Sequence, residues 1–108
     1  MKQPSYKDLR LDPSTIINME KGKLPPQAID LEEVVLGAMM IDKKGVDEVI
    51  DILTPESFYK EIHQNIFDAI FKLFQRSEPI DLLTVSNQLK KDGTHDKVGG
   101  DFYLISLT

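Results

Sequence analysis

A chain of 108 residues, 41% apolar and without cysteine, has room for one domain with a modest core and for no disulfide or cysteine-bound metal. Its formal charge of −5 is uneven: residues 1–23 sum to +2 and residues 24–108 to −7, so the body repels phosphates and argues against nucleic acid as its main ligand. No signal segment opens the chain, and its longest apolar run, Val34 to Ile41, is far short of the roughly 20 residues a membrane span needs, so a soluble protein is expected.

Residues 1–24 have sparse apolar positions and mixed charge. They read as a flexible leader with a short helical turn near Thr15–Met19. Pro25-Pro26 marks the entry to a folded part, residues 25–108. A first helix is expected from Ala28 to about Ile41. Its apolar residues, Leu31, Val34, Val35, Ala38, Met39 and Ile41, cover more than one stripe, which predicts a central, deeply buried helix. Gly37 inside it costs about 1 kcal/mol of helix propensity and has two readings, close approach by another helix or a merely tolerated glycine. A second helix, Lys43 to Leu53, places Val46, Val49, Ile50 and Leu53 on one face.

Thr54-Pro55 restarts the chain with a short helical turn leading to Phe58. The third helix, Glu61 to about Gln75, carries Ile62, Ile66, Phe67, Ile70, Phe71, Leu73 and Phe74, and this aromatic content makes it a principal core donor. Asp81 is the N-cap of a fourth helix, with Leu82, Val85, Ser86 and Leu89 as its inner face and Gly93 as its stop. After a polar loop, Gly99-Gly100 precede a last apolar helix, Phe102 to Leu107. No alternating pattern of useful length interrupts this series, so the fold is expected to be all-α with about five helices.

Four motifs stand in order along the chain. They are Pro25-Pro26-Gln27-Ala28-Ile29-Asp30-Leu31-Glu32-Glu33-Val34-Val35-Leu36-Gly37, Phe58-Tyr59-x-x-x-His63-x-x-Ile66-Phe67, Pro79-Ile80-Asp81-Leu82-Leu83-Thr84-Val85, and Val98-Gly99-Gly100-x-x-Tyr103-Leu104. Together they resemble the N-terminal domain of the DnaB family of bacterial replicative DNA helicases. The resemblance implies a small orthogonal bundle of about five helices, the head of a longer cytoplasmic protein. In that family the head is followed by a helical hairpin, a linker and a RecA-like motor that uses ATP and magnesium. Heads pair, contribute to the collar of a hexamer, and take part in docking primase and, in some lineages, loader proteins within the primosome. DNA is then reached only through the parent protein. The apolar end at Phe102–Leu107 suggests a cut before the hairpin.

A phosphate-binding loop needs Gly-x-x-x-x-Gly-Lys-Ser/Thr, but Gly22-Lys23 is followed by Leu24 and the first glycine position holds Ile17, so this chain is not expected to bind ATP or act as an enzyme. No cofactor or metal site is expected. His63 reads as a structural histidine bonded to a carbonyl or carboxylate, and His95 sits in a polar loop without a visible constellation. Acid pairs such as Glu32/Glu33 splay apart on a helix and read as solvated surface. Ser57, Ser86 and Ser106 lack an elbow or base partner. The expected function is therefore assembly and docking, with Met40, Phe102, Tyr103 and Ile105 as candidate interface residues for self-association. The alternative is a free-standing helical regulator binding DNA or an effector; Lys90 and Lys91 offer it some support, but Glu78, Asp81 and Asp92 flank them.

Overall fold

The computed structural model describes residues 28–108, so the leader and its expected turn at Thr15–Met19 lie outside the described residues. Five α-helices follow in order: α1 (Ile29–Ile41), α2 (Lys43–Val49), α3 (Glu61–Gln75), α4 (Leu82–Asp92) and α5 (Gly100–Leu107), with a 3₁₀ turn at Pro55–Ser57 between α2 and α3. There is no strand among the described residues. The expected all-α bundle is what the chain forms.

Local chemistry accounts for the boundaries. Asp42 stops α1 in an extended conformation and caps α2, its carboxylate accepting the Lys44 N–H at 2.9 Å. α2 stops at Val49 rather than Leu53, because the Val49 carbonyl takes the N–H groups of both Ile52 and Leu53 and closes the helix into a turn. α3 ends in a left-handed residue, Ser77 (φ 54°), and the Glu78 N–H returns to the Leu73 carbonyl. At the start of α4, Asp81 and Thr84 form a reciprocal capping box, each backbone N–H donating 2.9 Å to the other's side chain. Gly93 (φ 77°) ends α4 as expected.

α3 is the spine, packing against α1, α4 and the 3₁₀ turn. It buries Ile66, Phe67, Ala69, Ile70 and Leu73 on one side, and the Phe67 ring meets Phe58 at 5.3 Å. Leu36 and Met39 from α1, Val85 and Leu89 from α4, and Leu104 from α5 complete the core.

α1 departs from its expected orientation. Val34 and Ile41 are 65% and 66% exposed, and Ala38 on the same face is also open to solvent. Glu32, expected at the surface, is fully buried, and so is Met40. The reason is physical. A helix apolar on most sides has no preferred inward face, so its rotation is set by its partners, and Glu32 faces a partner it bonds.

Candidate functional site

The last helix and what holds it form the most specific arrangement in the molecule. α5 begins through two left-handed glycines, Gly99 (φ 103°) and Gly100 (φ 66°), and a Cβ on Gly99 would stand 2.8 Å from that of Tyr103. At its far end the Leu107 carbonyl lies against Gly37 of α1, where an added Cβ would come within 2.0 Å of the oxygen. Close approach, one of the two readings of Gly37, is therefore present, and its partner is α5.

Between these ends both histidines of the chain grip α5. His63 is fully buried, and its Nδ1 lies 2.6 Å from Glu32 Oε1. The same carboxylate accepts the Tyr59 N–H at 2.8 Å and the Lys60 N–H at 3.5 Å. A carboxylate receiving backbone N–H groups is an acceptor, so Nδ1 is the protonated nitrogen. Nε2 then accepts from the Tyr103 hydroxyl at 2.6 Å. Burial first, and then the charges of Glu33 and Glu32, push the Tyr103 phenol up to about 12, which keeps it a donor. This chain of bonds ties α1, α3 and α5 together through the core.

The second grip is polar and nearer the surface. His95 Nε2 lies 2.7 Å from Asp101 Oδ1, and Ser86 Oγ donates to the same oxygen at 2.5 Å. These two bonds, His95 first, hold the Asp101 carboxyl below its usual range.

Neither cluster is built for catalysis. His63 and Glu32 have no exposed surface through which a substrate could arrive. The Ser86 hydroxyl gives its proton to a carboxylate and not to an imidazole, so nothing activates it as a nucleophile. Among the described residues no group of three or more His, Cys, Asp or Glu is arranged to hold a metal ion, and no helix is long and apolar enough to cross a membrane.

What α5 does offer is an outward face. Leu104 is fully buried and Tyr103 points its hydroxyl inward, while Phe102 and Ile105 are 87% and 56% exposed. Where α1 meets α5, a shallow pocket of about 250 Å³ is lined by Asp30, Glu33, Val34, Ser106 and Leu107. Of the four candidate interface residues, Phe102 and Ile105 stand on this face and Tyr103 is its half-buried inner anchor. Met40, expected to project from α1, packs in the core instead. Its place in the apolar run from Val34 to Ile41, where no polar residue marks the outer face, gives no sign of this in the sequence. The reading of His63 as structural holds, with Glu32 as its carboxylate; the Asp101 bridge between Ser86 and His95 depends on the turn through Gly99 and Gly100, which no side-chain pattern announces.

Comparison with known proteins follows the same outline. A family model described as the DnaB-like helicase N terminal domain matches residues 24–108. The chain is 44% identical over 92 residues to the replicative DNA helicase DnaB of Rhodothermus marinus, a match covering 85% of this chain and 10% of that protein. It is 40% identical over 85 residues to the replicative DNA helicase DnaB of Geobacillus stearothermophilus, covering 79% of this chain and 19% of that protein. Among solved structures, the crystal structure of the N-terminal domain of DnaB helicase from Mycobacterium tuberculosis superposes with a TM-score of 0.73 at 41% identity, covering 77% of this chain and 60% of that one. The chain thus spans a tenth to a fifth of the length of these two helicases.

Proposed function

This chain belongs to the DnaB-like helicase N-terminal domain family, and we propose that it serves as the assembly and docking head of a replicative DNA helicase. In this reading heads pair into the collar of a hexamer in the bacterial cytoplasm and present a surface to primase or a helicase loader. ATP and magnesium belong to a motor domain of the parent protein, and DNA is engaged through that parent.

One observation carries the proposal most directly: Phe102 and Ile105 face solvent from a helix whose inner side is fixed by Leu104, His63 and His95. A rigid apolar face of this kind suits protein contact. The charge of −7 over residues 24–108 disfavours the alternative, a regulator that binds DNA through its body.

Sedimentation velocity over a wide concentration range tests the assignment. The chain is expected to form a weak dimer with a micromolar or weaker dissociation constant, about −8 kcal/mol or less favourable. Phe102→Asp with Ile105→Asp should abolish it without loss of helicity. A strict monomer at high concentration would remove the pairing surface proposed here, and a stable hexamer would mean that the head closes the ring unaided. Tight duplex binding at physiological salt that survives deletion of residues 1–23 would favour the regulator.

A further inference from the structure

The apolar face of α5 has a counterpart elsewhere on the molecule. Beside α2, the C-terminal ends of α1 and α3 and the loop into α4 enclose a groove of about 830 Å³, with Ile41, Phe74, Pro79 and Ile80 in its walls. Ile41 is 66% exposed and Phe74 38%, so these walls offer apolar surface to an occupant. No residue of α5 lines the groove. Phe102 cannot swing into it either, because buried Leu104, the Tyr103 hydroxyl on His63 and the Asp101 carboxylate on Ser86 hold its helix to the core, α3 and α4. Each chain therefore presents an aromatic knob that its own groove cannot accept.

We propose that the groove receives the α5 face of a second copy, with Phe102 as the inserted side chain and Ile105, on the same face one turn later, against the rim. This contact rests on the pairing of heads proposed above and gives that pairing a direction, head to tail rather than face to face. Charge selects the arrangement. α5 has no basic residue of its own, and its exposed start carries Asp101, with exposed Asp96 in the loop before it. Two α5 faces laid together would set these carboxylates near their equals, and like charges in an interface cost affinity. The groove offers the opposite sign. Lys43 stands in its wall with Lys44 next to it; both are exposed, and neither forms an ion pair among the described residues. Of the two acids in the same wall, Glu78 is already met by Arg76 at 3.0 Å, which leaves Asp47 against the two lysines. A heterologous contact of this kind leaves one knob and one groove free on every dimer, so it closes into a ring or runs on.

Mixing two variants tests the direction of the contact. Phe102→Asp removes the knob and keeps the groove; Ile41→Glu spoils the groove and keeps the knob. Both positions are exposed, so circular dichroism should match wild type. In sedimentation velocity each variant alone should associate roughly tenfold or more weakly than wild type. Their equimolar mixture should recover a dimer and stop there, because one knob and one groove remain intact, while wild type adds further copies as its concentration rises. If Ile41→Glu associates as wild type does and Phe102→Asp does not, two α5 faces meet each other: the pairing face stands and the groove is not its receptor. A mixture that stays monomeric would show that knob and groove do not fit. Undiminished association of Phe102→Asp would put a different surface in the groove. Each of these results overturns the head-to-tail contact, and a wild-type chain that is monomeric at high concentration removes the pairing itself.

Discussion

α3 and α1 obey different rules. On α3 the apolar residues recur at helical spacing against a polar background, and nearly all of them lie inside; Glu61 and Gln75 at its ends stay in water. On α1 the apolar residues surround the helix, and the inner face includes a carboxylate while Val34, Ala38 and Ile41 remain outside. An amphipathic helix carries its own instruction for which way to face. A helix apolar on most sides takes that instruction from a specific bond, here Glu32 to His63.

The largest expected effect tests the α3 side. Phe67 is fully buried against Phe58, so Phe67→Ala should cost roughly 3–5 kcal/mol in urea-induced unfolding. Phe71, counted with Phe67 among the core donors of this helix, is only half-buried and should cost less. Equal losses at the two positions would mean that the inner face of α3 is wider than drawn here.

The α1 side is tested by neighbours. Glu32→Ala leaves the buried His63 N–H and two partly buried backbone N–H groups without their acceptor, at a cost of about 1–3 kcal/mol for each donor that stays unpaired. Glu33→Ala, one residue away, should stay within about 0.5 kcal/mol. Similar melting temperatures for both variants would show that the Glu32 bond does not set the rotation of α1.

Gly37→Ala is next. Alanine gains about 1 kcal/mol of helix propensity over glycine, but its methyl would collide with the Leu107 carbonyl. Displacing α5 should cost roughly 1–3 kcal/mol, a net destabilisation readable in thermal melts. A stabilised variant would place α5 elsewhere.

The smallest effect is the most specific. Tyr103→Phe removes the hydroxyl bonded to His63 and should cost about 1 kcal/mol at neutral pH. The Tyr103 phenol, ordinarily near 10.0, is raised to about 12 in the folded chain. The unfolded chain therefore loses this proton first. The stabilisation is complete below pH 10 and disappears as the pH rises towards about 12. Stability measured across that window should fall less steeply in Tyr103→Phe than in wild type; parallel curves would exclude the inward hydroxyl.

Helix number, most boundaries and the capping chemistry at Asp81 and Gly93 are local matters, and the sequence alone determined them. A side-chain oxygen or a missing Cβ acts on backbone groups within a few residues, so its effect is written beside it. The same holds for the inner faces of α3 and α4, whose apolar periods are unambiguous. Burial of Glu32, withdrawal of Met40 into the core and exposure of Val34 belong to the tertiary structure, because each depends on a partner about 30 or more residues away or on the rotation that such a partner imposes. Of the two grips on α5, the one at His63 arises in the same way: folding brings Tyr103 to it from 40 residues away, and a hydrogen bond between distant side chains leaves no period in the sequence to read. His95 and Asp101 are near neighbours in the chain, and what joins them is the left-handed turn at Gly99-Gly100 between them.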